Sequence, residues 1–478
     1  MQIFLEGKLL GVDDCLLAPA TRDADAVFTG RSHWISLLSE VLPRALLSEL
    51  GLAKILLGSS GGGRFLMLLP IESREAADAF LAAAAAEIGQ LSGNALKLIW
   101  SSTENLGDWT DVRKRLNEGL ERRRGAPGFD ASVTVADASA EEYFVTELGF
   151  PLRDAETVCW SAETPGRVTT SAGKHSWTLA GLDSIPFARH TAPSEDGTEP
   201  ASTAVLAGRA GGVETWGVLR GDVDNFAIRM QRAASIEEHI SLSVMYKQFF
   251  AGELEVLCSM PEFWRKVTVM YSGGDDFAVY GSWDALIGLA GEVQRLFHRF
   301  AETNLKDLDG LEGKTITMAL AMAPAVDASL GAVFEEAGQR LEAAKSASKD
   351  CIWLLGRTLE WKQFAEAATL KDSLSKMVTE FGCSPQYLRD LCGIYRETQS
   401  RVSKRQARKM GGERPWRYHR RIRRILNAAR PGNKGRQEYQ KARAALIADL
   451  IGRSAITVKL RPAGRVALEW ARLSAAQA

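Results

Sequence analysis

Apolar and polar positions alternate regularly in two stretches of this chain, with a polar, irregular stretch between them and helical periodicity after them. In the first stretch a strand is predicted at Lys54–Leu57, then a glycine turn, a strand at Phe65–Leu69 and a helical run over Ser73–Leu91. In the second, Trp216–Leu219 reads as a strand, Ile236–Phe250 as an amphipathic helix and Lys266–Tyr271 as another strand. A two-glycine turn leads to a third strand, Phe277–Tyr280, then a helix over Ala285–Phe300, a fourth strand at Thr315–Met322, a helix over Leu330–Ser346 and a short strand at Ile352–Leu355. The order β-α-β-β-α-β predicts a ferredoxin-like α+β unit. Four regions follow: 1–125, 126–212, 213–357 and 358–478. Region 126–212 is rich in Gly, Pro, Ser and Thr and reads as a connection with an exposed loop at Ala192–Pro200. The last region is helical, broken near Gly411-Gly412 and Pro431-Gly432. Because the first region repeats the strand, glycine turn, strand, helix order of the third, two related folds are expected.

Length and composition narrow the class. A chain of 478 residues exceeds what one core supports and favours about two to four domains. With 46% apolar and 25% charged residues the composition is that of a soluble globular protein, and no apolar run nears the roughly 18 residues of a spanning helix. The N-terminus, Met1-Gln2-Ile3-Phe4-Leu5-Glu6, lacks a secretory pattern, so no membrane and a cytoplasmic location are expected. The six cysteines include no Cys-x-x-Cys pair, which disfavours a disulfide framework and a thiolate zinc site. Net charge is zero, yet between Arg396 and Arg436 fifteen Lys/Arg face two acids, a local excess of +13. Segregation of this kind points to an anionic partner.

The sharpest chemical signal is Tyr271-Ser-Gly-Gly-Asp-Asp-Phe-Ala-Val-Tyr280. Gly273 and Gly274 permit a tight reversal and a close approach of substrate to backbone, and Asp275 and Asp276 stand at its tip. A surface hairpin uses the same turn residues. Against that plain reading, Arg220-Gly-Asp-Val-Asp-Asn225 puts more acids at the end of another strand. In this strand order the first and third strands are neighbours, so Asp222 is expected to converge on Asp275 and Asp276. Carboxylates crowded this way repel one another unless cations intervene, which fits Mg²⁺ or Mn²⁺ and two-metal phosphoryl transfer.

Asp222-Val-Asp-Asn225, Gly273-Gly-Asp-Asp276 and Ala344-Lys345-Ser-Ala-Ser-Lys349 together resemble the GGDD palm of the large subunit of type III CRISPR effector complexes. Ser241-Leu-Ser243 followed by Phe249-Phe250 is similar to that family's helix after the first strand. Phe28-Thr-Gly-Arg-Ser32, Ile55-Leu-Leu-Gly-Ser-Ser-Gly-Gly-Gly-Arg-Phe65 and Leu68-Leu-Pro70 resemble its degenerate first palm, and the likeness is greatest to the Csm (III-A) branch. The resemblance implies two palms with a linker and a C-terminal helical domain. It also implies two ATP molecules between the palms, the 3′-hydroxyl of one attacking the α-phosphate of the other to give cyclic oligoadenylates and pyrophosphate. Asp222, Asp275 and Asp276 would hold the metals, Gly273 and Gly274 would lie against nucleotide, and Lys345 and Lys349 would meet triphosphate. Ser243 would face an adenine. Gly61, Gly62 and Gly63 with Arg64 carry no carboxylate, so the first palm would bind ATP without holding metal.

Two departures from the family stand out. No histidine is followed by aspartate, so an HD nuclease centre and DNA cleavage by it are not expected, and the region between the palms has only Cys159 where relatives carry a zinc cluster. The basic segment has Arg417, Arg420, Arg421, Arg423 and Arg424 interleaved with Trp416 and Tyr418, which suits phosphate pairing and base stacking. The resemblance sets it beside the small subunit, the backbone subunits and the subunit capping the 5′ end of CRISPR RNA, with target RNA as activator. Two alternatives stay open: a catalytically silent scaffold of the same complex, and a stand-alone GGDEF-like dinucleotide cyclase. The intact GGDD and both acidic clusters favour an enzyme over the scaffold. The degenerate first palm and basic tail favour the complex over the stand-alone cyclase.

Overall fold

The computed structural model describes residues 1–21, 23–125, 138–149, 151–181, 184–400, 415–428, 436–451 and 462–475. Its first sheet comprises β1 (Gln2–Leu10), β2 (Leu57–Gly61), β3 (Arg64–Pro70) and β4 (Lys97–Glu104) in the spatial order β2-β3-β1-β4, all antiparallel. The helices Ala24–Glu49 and Arg74–Leu91 are the two crossovers, which completes a ferredoxin-like palm. The strand expected at Lys54–Leu57 is corrected: Lys54–Leu56 form a 3₁₀ turn and β2 begins at Leu57. Ile55 is 89% exposed, so the alternation there has no sheet face to bury against.

In the stretch of chain read as a connection between the palms, helix Ala138–Leu148 and a hairpin of β5 (Thr157–Trp160) and β6 (His175–Thr178) form a folded layer on the first palm. Gly30 lets two helices approach closely, since a Cβ there would lie 2.1 Å from the Phe144 carbonyl oxygen. Trp34 Nε1 donates to Gly166 O at 2.9 Å, tying the layer to helix Ala24–Glu49. Cys159 is buried and free, and the loop within Ala192–Pro200 is exposed from Glu195 onward, as its composition predicts.

The second sheet comprises β7 (Trp216–Val223), β8 (Val267–Ser272), β9 (Asp276–Ser282), β10 (Ile316–Met322), β11 (Cys351–Leu354) and β12 (Arg357–Glu360), ordered β12-β11-β10-β7-β9-β8. Strand alternation splits its residues between two cores. Leu219, Val223, Phe277 and Val279 pack under helices Ile236–Gln248 and Trp283–Asn304, and this core continues into the C-terminal helices. Trp216, Val218, Ala278 and Tyr280 face the other way, into a core shared with Phe334 of helix Leu330–Ala347 and with helix Ala24–Glu49 of the first palm. One apolar interior therefore spans both palms. The C-terminal helices are Trp361–Thr379, Gln386–Ser400, Pro415–Ala428, Arg436–Ile451 and Pro462–Ser474; the breaks read at Gly411-Gly412 and Pro431-Gly432 lie outside the described residues. No helix among the described residues is long and apolar enough to cross a membrane.

Just past β7, Asp224 is 1% exposed and accepts from the hydroxyls of Thr315 and Thr317, both at 2.7 Å, and from the Asp350 amide at 2.9 Å. It locks the ends of β7, β10 and β11 together. Replacing it by Ala strands one buried and two part-buried donors, and the expected loss is about 2–4 kcal/mol of unfolding free energy in urea titrations. Asp224→Asn, which keeps an acceptor, should lose less.

Candidate active site

β7 and β9 run antiparallel with Asp222 directly opposite Asp276. Because side chains alternate, Arg220 and Asp222 continue the face begun by Trp216 and Val218, and Asp276 continues that of Ala278 and Tyr280. The carboxylates emerge where the shared apolar core ends. Gly221 must lack a side chain, since its Cβ would stand 2.3 Å from the Phe277 ring on the opposite face. At the turn, the Gly273 amide donates to Asp276 O at 2.7 Å, and a Cβ on Gly273 would meet Asp276 Oδ1 at 2.1 Å. The Val223 amide donates to Asp275 O at 2.9 Å, which holds the hairpin against β7.

The three acids are half-buried and mutually repelling. Burial and then the charge of Asp222 push Asp276 up to about 6, against the pull of Arg220. Asp275 is raised well above the ordinary range by burial, then by Asp276 and Asp222. Burial also raises Asp222, although Lys345 Nζ lies 2.7 Å from its Oδ2. Lys345 is on the last turn of helix Leu330–Ala347, which brings it to Asp222. Lys349, just past that helix, donates to Asn225 Oδ1 at the end of β7. Among the described residues no three His, Cys, Asp or Glu side chains enclose a metal ion by themselves. Asp222, Asp275 and Asp276 still fit a hard divalent cation that takes carboxylates on one side and keeps substrate phosphates and waters on the other, because they concentrate more negative charge than Lys345 offsets.

The opposite wall comes from the first palm. Gly62 has φ 58°, and a Cβ on it would lie 2.8 Å from the Gly274 nitrogen, so the turn Gly61–Gly63 touches the turn Gly273–Gly274. Beside this contact a cavity of about 550 Å³ opens, lined by Asp13, Ser36 and Gly63 on one side and Arg220, Tyr271 and Asp276 on the other. Ser243 lies outside that lining; it is half-buried on helix Ile236–Gln248, between Ile240, which a Cβ on Gly58 would meet at 3.2 Å, and Lys247. The basic segment forms helix Pro415–Ala428, with Ile422 and Leu426 buried, Arg420, Arg423 and Arg424 exposed and Arg421 half-buried. The side chain of Arg417 lies outside the described residues.

Sequence reasoning passed over Arg220. Its guanidinium sits 4.1 Å from the centre of the Phe334 ring, 3.4 Å from the Tyr271 hydroxyl and 3.9 Å from Asp13, with 14% of the side chain exposed. The signal was present, because a residue two before Asp222 in a strand must share its face.

Residues 215–353 match the family described as Cas10/Cmr2, second palm domain. The single-strand-specific deoxyribonuclease Cas10/Csm1 (subtype III-A) of Enterococcus italicus is 27% identical over 176 residues, which is 35% of this chain and 22% of that protein. The chain thus aligns with about a fifth of the length of that curated relative. A Csm1–Csm4 cassette in complex with cA3 superposes with TM-score 0.71 at 16% identity, covering 99% of this chain and 69% of that one. The cassette in complex with one ATP gives TM-score 0.70 at 16% identity, covering 99% and 70%. These likenesses bear out the resemblance to the GGDD-palm subunit of type III-A complexes and the two-palm α+β fold.

The crowded acids predict a pH signature in metal-free protein. An acid raised from its unfolded value to about 6 keeps its proton in the folded state where the unfolded chain has lost it. Stability then falls as pH rises from about 4 to about 6 and stays reduced above that window. Asp275→Asn/Asp276→Asn reduces the effect to what the burial of Asp222 leaves. The variant should melt above wild type at pH 7 and level with it at pH 4, with Mg²⁺ closing the gap by raising wild type.

Proposed function

Taking residues 215–353 as a second palm of the Cas10/Cmr2 family, we propose that the chain is the cyclic-oligoadenylate-forming large subunit of a type III-A CRISPR effector complex, activated by target RNA. The observation that carries this reading is the register of Asp222 against Asp276, with Asp275 beside them in the chain, Lys345 paired to Asp222, and Asp276 itself lining a cavity whose other wall is the first palm. The 3′-hydroxyl oxygen of one ATP forms a bond to the α-phosphorus of another, the bond to the β-phosphate oxygen breaks, and pyrophosphate leaves. Mg²⁺ or Mn²⁺ held by Asp222, Asp275 and Asp276 would favour the hydroxyl as its alkoxide and take up charge on the leaving group. Lys345, and Lys349 beyond it, would meet the triphosphate, while the Gly273-Gly274 backbone lets a nucleotide approach closely.

The 550 Å³ cavity suits a nucleoside better than a polyphosphate, since Asp13, Asp14 and Asp276 outnumber Arg220 in its lining. Polyphosphate belongs on the lysine side. The first palm, with glycines and no acids at the matching turn, would hold a nucleotide without metal, and Ser243 would reach an adenine from the helix above. Likeness to Csm1–Csm4 cassettes in complex with cA3 or ATP supports this assignment. On the same reading, 1–125 is the degenerate first palm, 126–212 the linker, 213–357 the catalytic palm and 358–478 the helical domain that meets the small, backbone and RNA-capping subunits. The exposed ridge of helix Pro415–Ala428 would serve CRISPR RNA.

Two measurements test the proposal. In purified complex with target RNA, ATP and Mg²⁺, Asp275→Ala/Asp276→Ala and, separately, Asp222→Ala should slow oligoadenylate formation on the order of 10²–10⁴-fold, the equivalent of about 3–5 kcal/mol of transition-state stabilisation. Wild-type turnover in the double variant removes the catalytic reading of Asp275 and Asp276. Changing Arg420, Arg421, Arg423 and Arg424 to Gln should weaken RNA association and flatten its salt dependence, by roughly one unit of slope per lost phosphate contact. An unchanged slope assigns the ridge to an acidic protein surface.

A further inference from the structure

A buried ionic cluster joins the two palms at a point the chemistry above does not use. Glu40, on the first-palm helix Ala24–Glu49, is 3% exposed, and both its carboxylate oxygens are occupied. Lys247 Nζ, from the second-palm helix Ile236–Gln248, stands 2.5 Å from Oε1. Oε2 accepts from Arg44 Nη1 at 2.8 Å and from the Ser60 hydroxyl at 2.9 Å, and Lys247 Nζ also reaches Ser60 Oγ at 3.2 Å. Ser60 is the penultimate residue of β2, one step before the turn Gly61–Gly63. That turn is pressed onto the cluster, for a Cβ on Gly61 would lie 3.0 Å from Glu40 Oε1 and 3.5 Å from the Lys247 stem.

We propose that Glu40 and Lys247 are a positioning pair that sets the separation of the two glycine turns, and so the width of the cleft in which the proposed nucleotide condensation takes place. One carboxylate connects three elements: the long helix of the first palm, the glycine hairpin that forms one wall, and the helix bearing Ser243, one turn before Lys247. Neither residue lines the cavity, so the pair acts through the wall and not on substrate. Burial alone would raise Glu40, but Lys247 and Arg44 outweigh it and hold the carboxyl below its ordinary range, so the cluster is charged. A desolvated pair of this kind adds little net stability compared with apolar side chains that fill the same volume, whereas its directional bonds fix one geometry. Apolar packing between the palms would allow sliding; a carboxylate shared among an ammonium, a guanidinium and a hydroxyl does not.

The contrast between stability and geometry supplies the experiment, which rests on the cleft being the site of ATP condensation only for its activity arm. Glu40→Leu/Lys247→Met is made in the full chain within its effector complex, with spin labels at the exposed Ile55 of the first palm and Val256 of the second. Arg44 keeps its bond to the Glu40 main-chain oxygen at 2.6 Å, so the helix retains that contact. The expected result is a melting temperature within a few degrees of wild type, a broadened inter-label distance distribution and a kcat for oligoadenylate formation lowered roughly 10- to 100-fold, the scale of a misplacement near 1 Å. Glu40→Gln, which leaves Lys247 buried without its counter-charge, should lower both melting temperature and kcat. A double variant with wild-type distance distribution overturns the proposal, as does one with a broadened distribution and unchanged kcat. Should wild-type complex make no oligoadenylate, the cyclase reading fails, and the distance measurement alone still decides whether the pair positions the palms.

Discussion

Holding three carboxylates side by side in a half-buried cleft is the constraint around which the second palm is built. Left to themselves, Asp222, Asp275 and Asp276 would drift apart or take up protons, and the rise of Asp276 to about 6 records that tension. Backbone pairing resists it: the β7–β9 ladder fixes Asp222 opposite Asp276, and the Val223 amide pins Asp275 through its carbonyl. Beneath the acids, Phe277 fills the space that Gly221 leaves, so the ladder rests on solid packing. Asp224, although part of the same acidic run, is fully engaged by Thr315, Thr317 and Asp350, and serves to brace the strand ends.

The same constraint explains why the palms differ while sharing a topology. Each has a hairpin turn of glycines between its second and third strands, but only the second carries acids after it. A first-palm turn with carboxylates, in contact with Gly274, would add to the repulsion. A bare glycine turn offers instead a close-fitting backbone wall. The shared core of Trp216, Val218, Phe334 and helix Ala24–Glu49 brings that wall near without specifying its position finely, since apolar contact is non-directional. Directional bonds do the finer placement: Ser32 Oγ to Met270 O at 2.6 Å, and the Glu40–Lys247 cluster.

Charge is divided along the chain in the same spirit. The acidic excess belongs to the part with the cleft, and the basic excess gathers between Arg396 and Arg436, where helix Pro415–Ala428 buries Ile422 and Leu426 and turns arginines outward. Such a helix is amphipathic with a cationic outer face, the arrangement an anionic polymer or surface would meet.

Much of this was legible from local pattern. Period-two alternation and the order of elements were enough to predict the second sheet, the adjacency of its first and third strands, and hence the meeting of Asp222 with the Gly-Gly-Asp-Asp turn; helical periodicity carried Lys345 to the end of its helix. These features depend on residues near one another in sequence, or on a topology that follows from element order. What the sequence did not disclose depends on docking. Within the alternation at Lys54–Leu57, Lys54–Leu56 have no partner strand and form a turn; the polar stretch after residue 137 folds against the first palm; Asp224 braces the fold; Arg220 lies over Phe334; and Lys247 bonds Ser60 across a sequence separation of 187 residues. Alternation tells which face a side chain leaves by, but the partner it finds there is set by how the two palms pack across their shared core, and that is decided by the shape and charge of surfaces assembled from residues far apart in sequence.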